Sequence, residues 1–434
     1  MKRYLLILLV LLILGPTVVF AGGRSEDKAG ADGSGKIVLQ VFHYMLNAVK
    51  QEGLVELEEA FSKKYPNVSF ENLYYNMGTD YFPQLSTALA SGEQPNIMMG
   101  NPAQYIDLIK NGFAMDLTNN QLIKSLNLSS GDLGDVSVNK VVYSFPIDFK
   151  GWGVFYNVEM FNRLGIQIPT RQSELLAVCK KIADAGIDPW IHCYSDTVLP
   201  DIEVRNTFYP RAFAPGDVDF FLNLMSGKKK LTDYPYILEA FRVWQQRLQW
   251  SRKDAMANNQ DKSLELFIAG QGAMLYTGSW NIGDIVERAP NFKFDFFVLP
   301  IDENPQSQKM NVAVDQSFMV NPKAKNPDMA LKFMEYWMTD GAILWSERTM
   351  MPLVTGEVSD KLLPVVKTIA SIKNSGNIAH VGDFTAPFNT EFLTAWRRAC
   401  QMFAESLVTN GTMTPEQAIA NMQAMFDNII ATSK

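Results

Sequence analysis

From Ile37 onward, short β-branched apolar runs alternate with stretches whose apolar residues recur every three or four positions, and that alternation restricts the fold more than any other feature. Residues 37–42 (IVLQVF) read as a strand. Residues 49–65 carry Val49, Gly53, Leu54, Leu57, Ala60 and Phe61 on one helical face and stop before Pro66. A second strand is expected over 68–75, a helix over 81–90, a buried strand over 96–99 and a helix over 103–110 that ends at Asn111-Gly112. Strand and helix in strict alternation predict an α/β protein built on parallel sheet.

The same grammar continues less cleanly. Strands are expected over 141–147, 154–156, 294–298 and 312–320, and helices over 174–185, 236–250 and 329–338. Beyond Leu353 the pattern is helical almost to the end, clearest over 392–407 and 415–431, the latter opened by Thr414 as N-cap and Pro415 in the first turn. With 434 residues the chain has length for about two to three domains, so a cleft between lobes is within its reach.

The first residues stand apart. Lys2 and Arg3 precede the apolar run 5–14, Gly15 and Pro16 break it, and Val19-Phe20-Ala21 offers a small residue at its end, which is the pattern of a cleaved export signal over 1–21. The run is shorter than the ~20 residues that span a bilayer. Net charge is −7, and removing Lys2 and Arg3 gives −7 − 2 = −9. An acidic exported chain argues against a nucleic-acid partner. Residues 22–35 (GGRSEDKAGADGSG) read as a flexible leader, and no cysteine stands at the cleavage point to carry a lipid anchor, so a periplasmic location is expected. Cys179, Cys193 and Cys400 are far apart and form no CxxC pair; they are expected to be small buried hydrophobes, although the compartment would permit one disulfide. His43, His192 and His380 lack the spacing of a metal site, so no metal or cofactor is expected. No GxxxxGK[ST], strand-to-helix GxGxxG or GxSxG phrase is present.

Several phrases taken together resemble the extracellular solute-binding proteins of ABC importers, in particular the carbohydrate-binding family that includes maltose-binding protein. Tyr65-Pro-Asn-Val68, Tyr81, Leu85-Ser-Thr-Ala-Leu-Ala-Ser-Gly92 and Pro95-Asn-Ile97 are similar to the family's L-x-T-x-L-A-S-G-x-x-P-D run, with Asn96 in place of Asp. Val142-Tyr143-Ser-Phe-Pro146 followed by Val154-Phe-Tyr-Asn157 and Phe161 is similar to the first passage between lobes. Phe267-Ile-Ala-Gly270, Ala273-Met274 and Gly278-Ser-Trp280 are the most specific match, and Asn326-Pro-Asp-Met-Ala330 with Phe333 and Thr414-Pro-Glu-Gln-Ala418 complete the order. The resemblance implies a two-lobed periplasmic binding fold with hinge strands crossing between lobes. It divides the chain into a first lobe of 36–147 and 316–360 and a second of 148–315 and 361–434. It also implies a monomer that closes on a saccharide and delivers it to the transmembrane subunits of an ABC permease, with no catalysis.

In open α/β sheets, ligands sit beyond the carboxyl ends of strands. His43 and Tyr44, Asn101, Asp148, and Asp315 with Gln316 are therefore candidates. A saccharide needs carboxylates or amides for its hydroxyls and an aromatic ring for its C–H face. Trp280, after the Gly278-Ser279 turn, and Trp152, between two glycines, are the expected platforms, and Asp80 is a further hydroxyl partner or a helix cap. Trp190, Trp396, Tyr194, Phe208 and Tyr209 are weaker aromatic candidates. Two other clients remain open: the bond of a glycoside, cut by paired carboxylates ~5 to 9 Å apart, and a polyol or glycerol phosphodiester, for which Arg205 and Arg348 are the basic residues at hand.

Overall fold

The strand Ile37–His43 is buried along most of its length and is followed by the helix Ala48–Lys64, which packs Leu54, Leu57 and Phe61 inward and closes with Lys63 and Lys64 in its last turn, where cations suit the helix dipole. This computed structural model describes residues 35–432 apart from 46, 77–79, 93, 127, 196, 213–219 and 381–389. The expected export signal, and all of the leader but its last residue, lie outside the described residues.

Two sheets organise the fold. The first runs in the order Val68–Tyr74, Ile37–His43, Ile97–Met99, Ser317–Val320, Phe145–Pro146. Its first three strands are parallel, so His43 pairs with Tyr74 while Val41 and Phe42 pair with Ile97 and Met98. Ser317–Val320 runs antiparallel to Ile97–Met99. The second sheet is built on the long strand Phe149–Asn157. Met274–Gly278, Phe294–Phe297 and Met310–Val314 all pair antiparallel with it; Trp190–Ile191 and Ile378–His380 extend the sheet on either side. This is the mixed α/β architecture with two sheet-containing lobes.

Among the described residues the chain passes between the sheets at three places. Ile147 and Asp148 join Phe145–Pro146 to Phe149–Asn157, and Asp315 and Gln316 join Met310–Val314 to Ser317–Val320. The third lies near Leu353, which bridges Asp148, while Phe149 N donates to the Pro352 carbonyl. The single strands expected over 141–147 and 312–320 are each two strands: 141–147 divides into Val141–Val142, which pairs with Ser137–Val138, and Phe145–Pro146 of the first sheet, while 312–320 turns at Asp315 and Gln316, where it leaves one sheet for the other. The expected strand 154–156 is only the end of Phe149–Asn157, whose Gly151 and Gly153 hid it: a Cβ at Gly151 would meet the Met310 sulfur at 2.8 Å, and one at Gly153 the Phe296 ring at 2.3 Å. The expected helix over 103–110 is a short 3₁₀ turn, Pro102–Gln104, then Ile106–Lys110, and the C-terminal third contains a strand, Ile378–His380, where helix was expected.

Each lobe has its own core. Phe61, Phe333, Trp337 and Trp345 centre the first. In the second, Phe155, Phe267, Val312 and Ile369 pack one side of the sheet, and Val154, Cys179, Trp190 and Tyr276 the other. A helical layer, Val198–Ala212, Pro235–Leu248, Thr390–Val408 and Pro415–Thr432, packs beyond that side. All three cysteines are buried, and no disulfide joins them.

One buried ionic cluster joins the helix Ser130–Asp135 to the second sheet. Asp132 accepts from Lys373 Nζ at 3.1 Å and meets His380 Nε2 at 3.2 Å, while Asp135 accepts from Val314 N at 2.8 Å. Burial opposes ionisation of Asp132, but His380, Lys373 and Ser129 outweigh it and hold its carboxyl down to about 2. A depressed carboxylate stabilises the native state above its unfolded value near 3.9, and the stabilisation fades as pH falls toward the folded value. Asp135, pushed up to about 6 by burial, acts above that window. We predict that urea midpoints of the wild type fall between pH 4 and 2 and that Asp132→Asn flattens this limb while lowering stability at pH 5. An unchanged acid limb in the variant would refute the assignment.

Candidate functional site

The two short crossings lie side by side, and their side chains lock together. Asp315 N donates to the Asp148 carbonyl at 3.0 Å, and Gln316 N to the Asp148 carboxylate at 2.9 Å. The second Asp148 oxygen accepts from the Trp345 indole at 2.8 Å. Asp148 is fully enclosed, so both of its oxygens are spent inside the protein. Burial, and then the charge of Asp315, push its carboxyl well above the ordinary range. Asp315 goes the other way: burial opposes its ionisation, but Lys50 at 3.0 Å and Lys150 at 3.6 Å hold it low. Lys50 Nζ also donates to the Gln316 side chain at 3.3 Å. Lys50 rides on the first-lobe helix Ala48–Lys64 and Lys150 on the second-lobe strand Phe149–Asn157, so one carboxylate is shared from both sides of the boundary.

On the second sheet, alternation along Phe149–Asn157 sets Lys150 and Trp152 on one face. Trp152 pairs with Gly278, and from that turn the Trp280 ring folds back until the two indoles meet edge to face at 6.0 Å and 76°. Gly278 is required there: a Cβ would lie 1.8 Å from the Trp280 ring. Ser279 Oγ accepts from Gly151 N at 3.1 Å and pins the turn to the central strand, and Gln260 accepts from the Trp280 indole at 3.3 Å. Both indoles are half-buried. The Lys150 ammonium stands over the Trp152 ring, 5.6 Å from its centre, and so lies next to both that indole and the crossing carboxylate.

The first sheet contributes its carboxyl edge. His43 is buried with Nδ1 unbonded, and burial lowers its imidazole to about 4, so it is neutral near pH 7. Tyr44 packs edge-on against Tyr81 at 4.9 Å. Asn101 follows Gly100, whose N–H bonds Ser317 beside the crossing; its side chain accepts from Ala103 N at 2.9 Å and caps the next turn. Asp80 stands exposed before the helix Tyr81–Ser91 and its side chain makes no cap bond.

Of the expected residues, the structure draws Asp148, Asp315 and Gln316 into one network and sets Trp152 against the turn formed by Gly278, Ser279 and Trp280. Asp80 joins neither. The weaker aromatic candidates are core: Trp190, Tyr194, Phe208, Tyr209 and Trp396 are all buried, with Trp396 bonded to Asp201 and Tyr194 to Glu203. Arg205 is bound by Asp201, and Arg348 by Glu52 and Glu56, so neither is set out for a phosphate. Lys50, Lys150, Gln260 and Trp345 were not read from the sequence. Lys50 left a signal, since it lies three and four residues before Gly53 and Leu54 on the apolar face of its helix, an unusual place for a lysine without a buried partner.

Asp148→Ala is predicted to cost about 1 to 3 kcal/mol by leaving the Trp345 indole and the Gln316 amide unpaired in the interior. Urea midpoints of the ligand-free protein measure this, and a loss under 0.5 kcal/mol would show that these bonds do not matter (roughly the noise of a surface change).

The sequence model of the bacterial extracellular solute-binding proteins matches residues 47–343. A multiple sugar-binding protein of Streptococcus mutans is 23% identical over 346 residues, covering 76% of this chain and 78% of that protein. Among solved structures, RafE in complex with raffinose is 18% identical with a TM-score of 0.73, covering 91% of this chain and 100% of that one. A sugar transporter of Bacillus licheniformis in complex with stachyose is 16% identical with a TM-score of 0.66, at 91% and 100% coverage. At those identities the solved structures speak for the fold. The family model spans well over half of the sequence, and this chain belongs to the bacterial extracellular solute-binding proteins.

Proposed function

We propose that this protein is the periplasmic sugar-binding component of an ABC importer, a monomer that takes a mono- or oligosaccharide between its two lobes, closes on it and hands it unaltered to the transmembrane subunits of a permease. The observation that carries the reading is the orthogonal Trp152–Trp280 pair, held beside the crossing by Gly278 and Ser279. Two half-buried indoles at right angles offer a face and an edge to a pyranose, and indole faces suit its C–H surface. His43, Tyr44 and Asn101 would supply polar contacts from the first sheet, Asp315 and Gln316 from the crossing. Asp148, enclosed and bonded, would act on the hinge instead of on a hydroxyl. The lobes would be 36–147 with 316–360 and 148–315 with 361–434, and Asp80 would stay outside the contact. Relatives named for sugar binding, and folds solved with raffinose and stachyose, support this client.

A glycosidase would need two carboxylates turned to one bond. At the crossing, Asp148 is shut away and Asp315 is tied to lysines, which favours binding without cleavage. No helix among the described residues is long and apolar enough to cross a membrane, which fits a component that relies on separate transmembrane subunits.

Closure follows from differential affinity: a ligand that touches both lobes favours the closed form by the contacts it makes only there. A ligand at a hundred times its Kd adds about 2.7 kcal/mol of stability. Raffinose or stachyose at saturation is therefore expected to raise Tm by a few degrees and to reduce the radius of gyration in solution scattering. Stabilisation with an unchanged scattering profile would remove the closing motion. Trp280→Ala should weaken that binding by about 1 to 3 kcal/mol while leaving Tm of the ligand-free protein nearly unaltered. Should the ligand-free Tm collapse, Trp280 is core and the platform has to be sought elsewhere.

A further inference from the structure

We infer that Gln260 is a ligand-contacting, specificity-determining residue that donates an amide N–H to an oxygen of the saccharide seated on Trp280. The inference rests on the saccharide reading above. Of the two indoles, Trp280 is the one with a face to offer. The Lys150 ammonium stands over the Trp152 ring, and Trp152 packs against two core clusters of the second lobe; Trp280 is half-buried yet joins neither cluster. Both ends of its ring are fixed. The six-membered end lies over Gly278, where a Cβ would come within 1.8 Å, and the nitrogen end donates to the Gln260 side chain at 3.3 Å.

Gln260 opens the helix Gln260–Ile268, and its neighbours there are occupied. Asn259 accepts from Lys262 N at 2.8 Å, Asp261 accepts from Arg288 at 2.7 Å, and Lys262 donates to Glu265 at 3.1 Å. An indole N–H can only donate, so the Gln260 oxygen must face it and the amide nitrogen, with its two N–H groups, is turned away. That nitrogen donates to nothing among the described residues, and the side chain is only half-buried. A pyranose resting its C–H face on the indole carries hydroxyl, ring and glycosidic oxygens around its perimeter, which brings an acceptor to the nitrogen edge of the ring. Gln260 offers donors alone at that edge. It therefore favours a sugar with an oxygen there and disfavours one with a protonated amine or a bare methyl group, either of which leaves the amide unpaired.

The test is calorimetric titration of the full chain with raffinose, stachyose, D-galactose and chitotriose, using wild type, Gln260→Met, Trp280→Phe and the double variant, with Tm of each ligand-free protein. Trp280→Phe keeps a ring for the sugar and removes the indole N–H, so it separates a contact with the ligand from a role in positioning the indole. Losing one neutral hydrogen bond should weaken binding by about threefold to tenfold. The inference predicts that loss on adding Gln260→Met to either background, with the ligand-free Tm shifted by no more than about a degree. Unchanged affinity in Gln260→Met overturns it. A loss seen with Trp280 in place but absent in the Trp280→Phe background also overturns it, since Gln260 then acts only through the indole, and so does a loss that comes with a lowered ligand-free Tm. If wild type binds none of the four, the saccharide reading falls and this assignment falls with it, a result distinct from equal binding by wild type and Gln260→Met.

Discussion

Asp148 holds the two lobes in register. A carboxylate enclosed by protein costs several kcal/mol of lost hydration unless every lone pair finds a donor. Here the donors come from separate parts of the chain: the Gln316 amide from the opposite crossing and the Trp345 indole from a helix of the first-lobe core. The Asp148 carbonyl takes the Asp315 amide as well, and its bridge to Leu353 ties in the third passage. All three passages thus converge on one residue. Next to it stands Asp315, and two neighbouring carboxylates cannot both stay charged without cations nearby. Lys50 and Lys150 meet that requirement for Asp315, while Asp148 is left with the raised proton affinity.

How much of this was legible from sequence follows from the range of the forces involved. The strand and helix alternation of the first hundred residues reads directly, because one-sided burial writes period two or 3.6 into the apolar positions. The strand Ile37–His43 and the helix Ala48–Lys64 differ from expectation by about one residue at an end. The breaks were hidden, because apolar residues stand on both sides of them in 141–147 and 312–320 and nothing local says where a strand leaves its sheet. Asp148 and Asp315 were singled out for lying at strand ends, which is right in position, yet their partners sit hundreds of residues away in sequence or on another element. The aromatics of 190–209 were weaker candidates because sequence does not say which way they face. Tyr194 and Phe208 look like a binding surface in one dimension and fill the helical layer in three, where Trp244, Trp396 and Phe403 surround them. A tryptophan announces that something large is covered, and only the fold says whether protein or solute covers it.

The division of labour at the crossing fixes what can move. A contact at 3.6 Å involving a quarter-exposed lysine is screened by water and is worth no more than about 1 kcal/mol, whereas each bond to the enclosed Asp148 costs about 1 to 3 kcal/mol to break without replacement. A closing motion set by a few kcal/mol cannot afford to break the second kind. Any change in the angle between lobes must therefore turn about Asp148 with its bonds intact, and the adjustable contacts are the outer ones: Lys150 with Asp315, and the helix Ala48–Lys64 with the helix Ile282–Arg288, where Asn47 bonds Asp284. Trp152 and Trp280 lie on the Lys150 side of that pivot. On the proposed reading, a solute seated on them would act on the soft contacts first, which is where a small difference in affinity has the most leverage on the shape of the molecule.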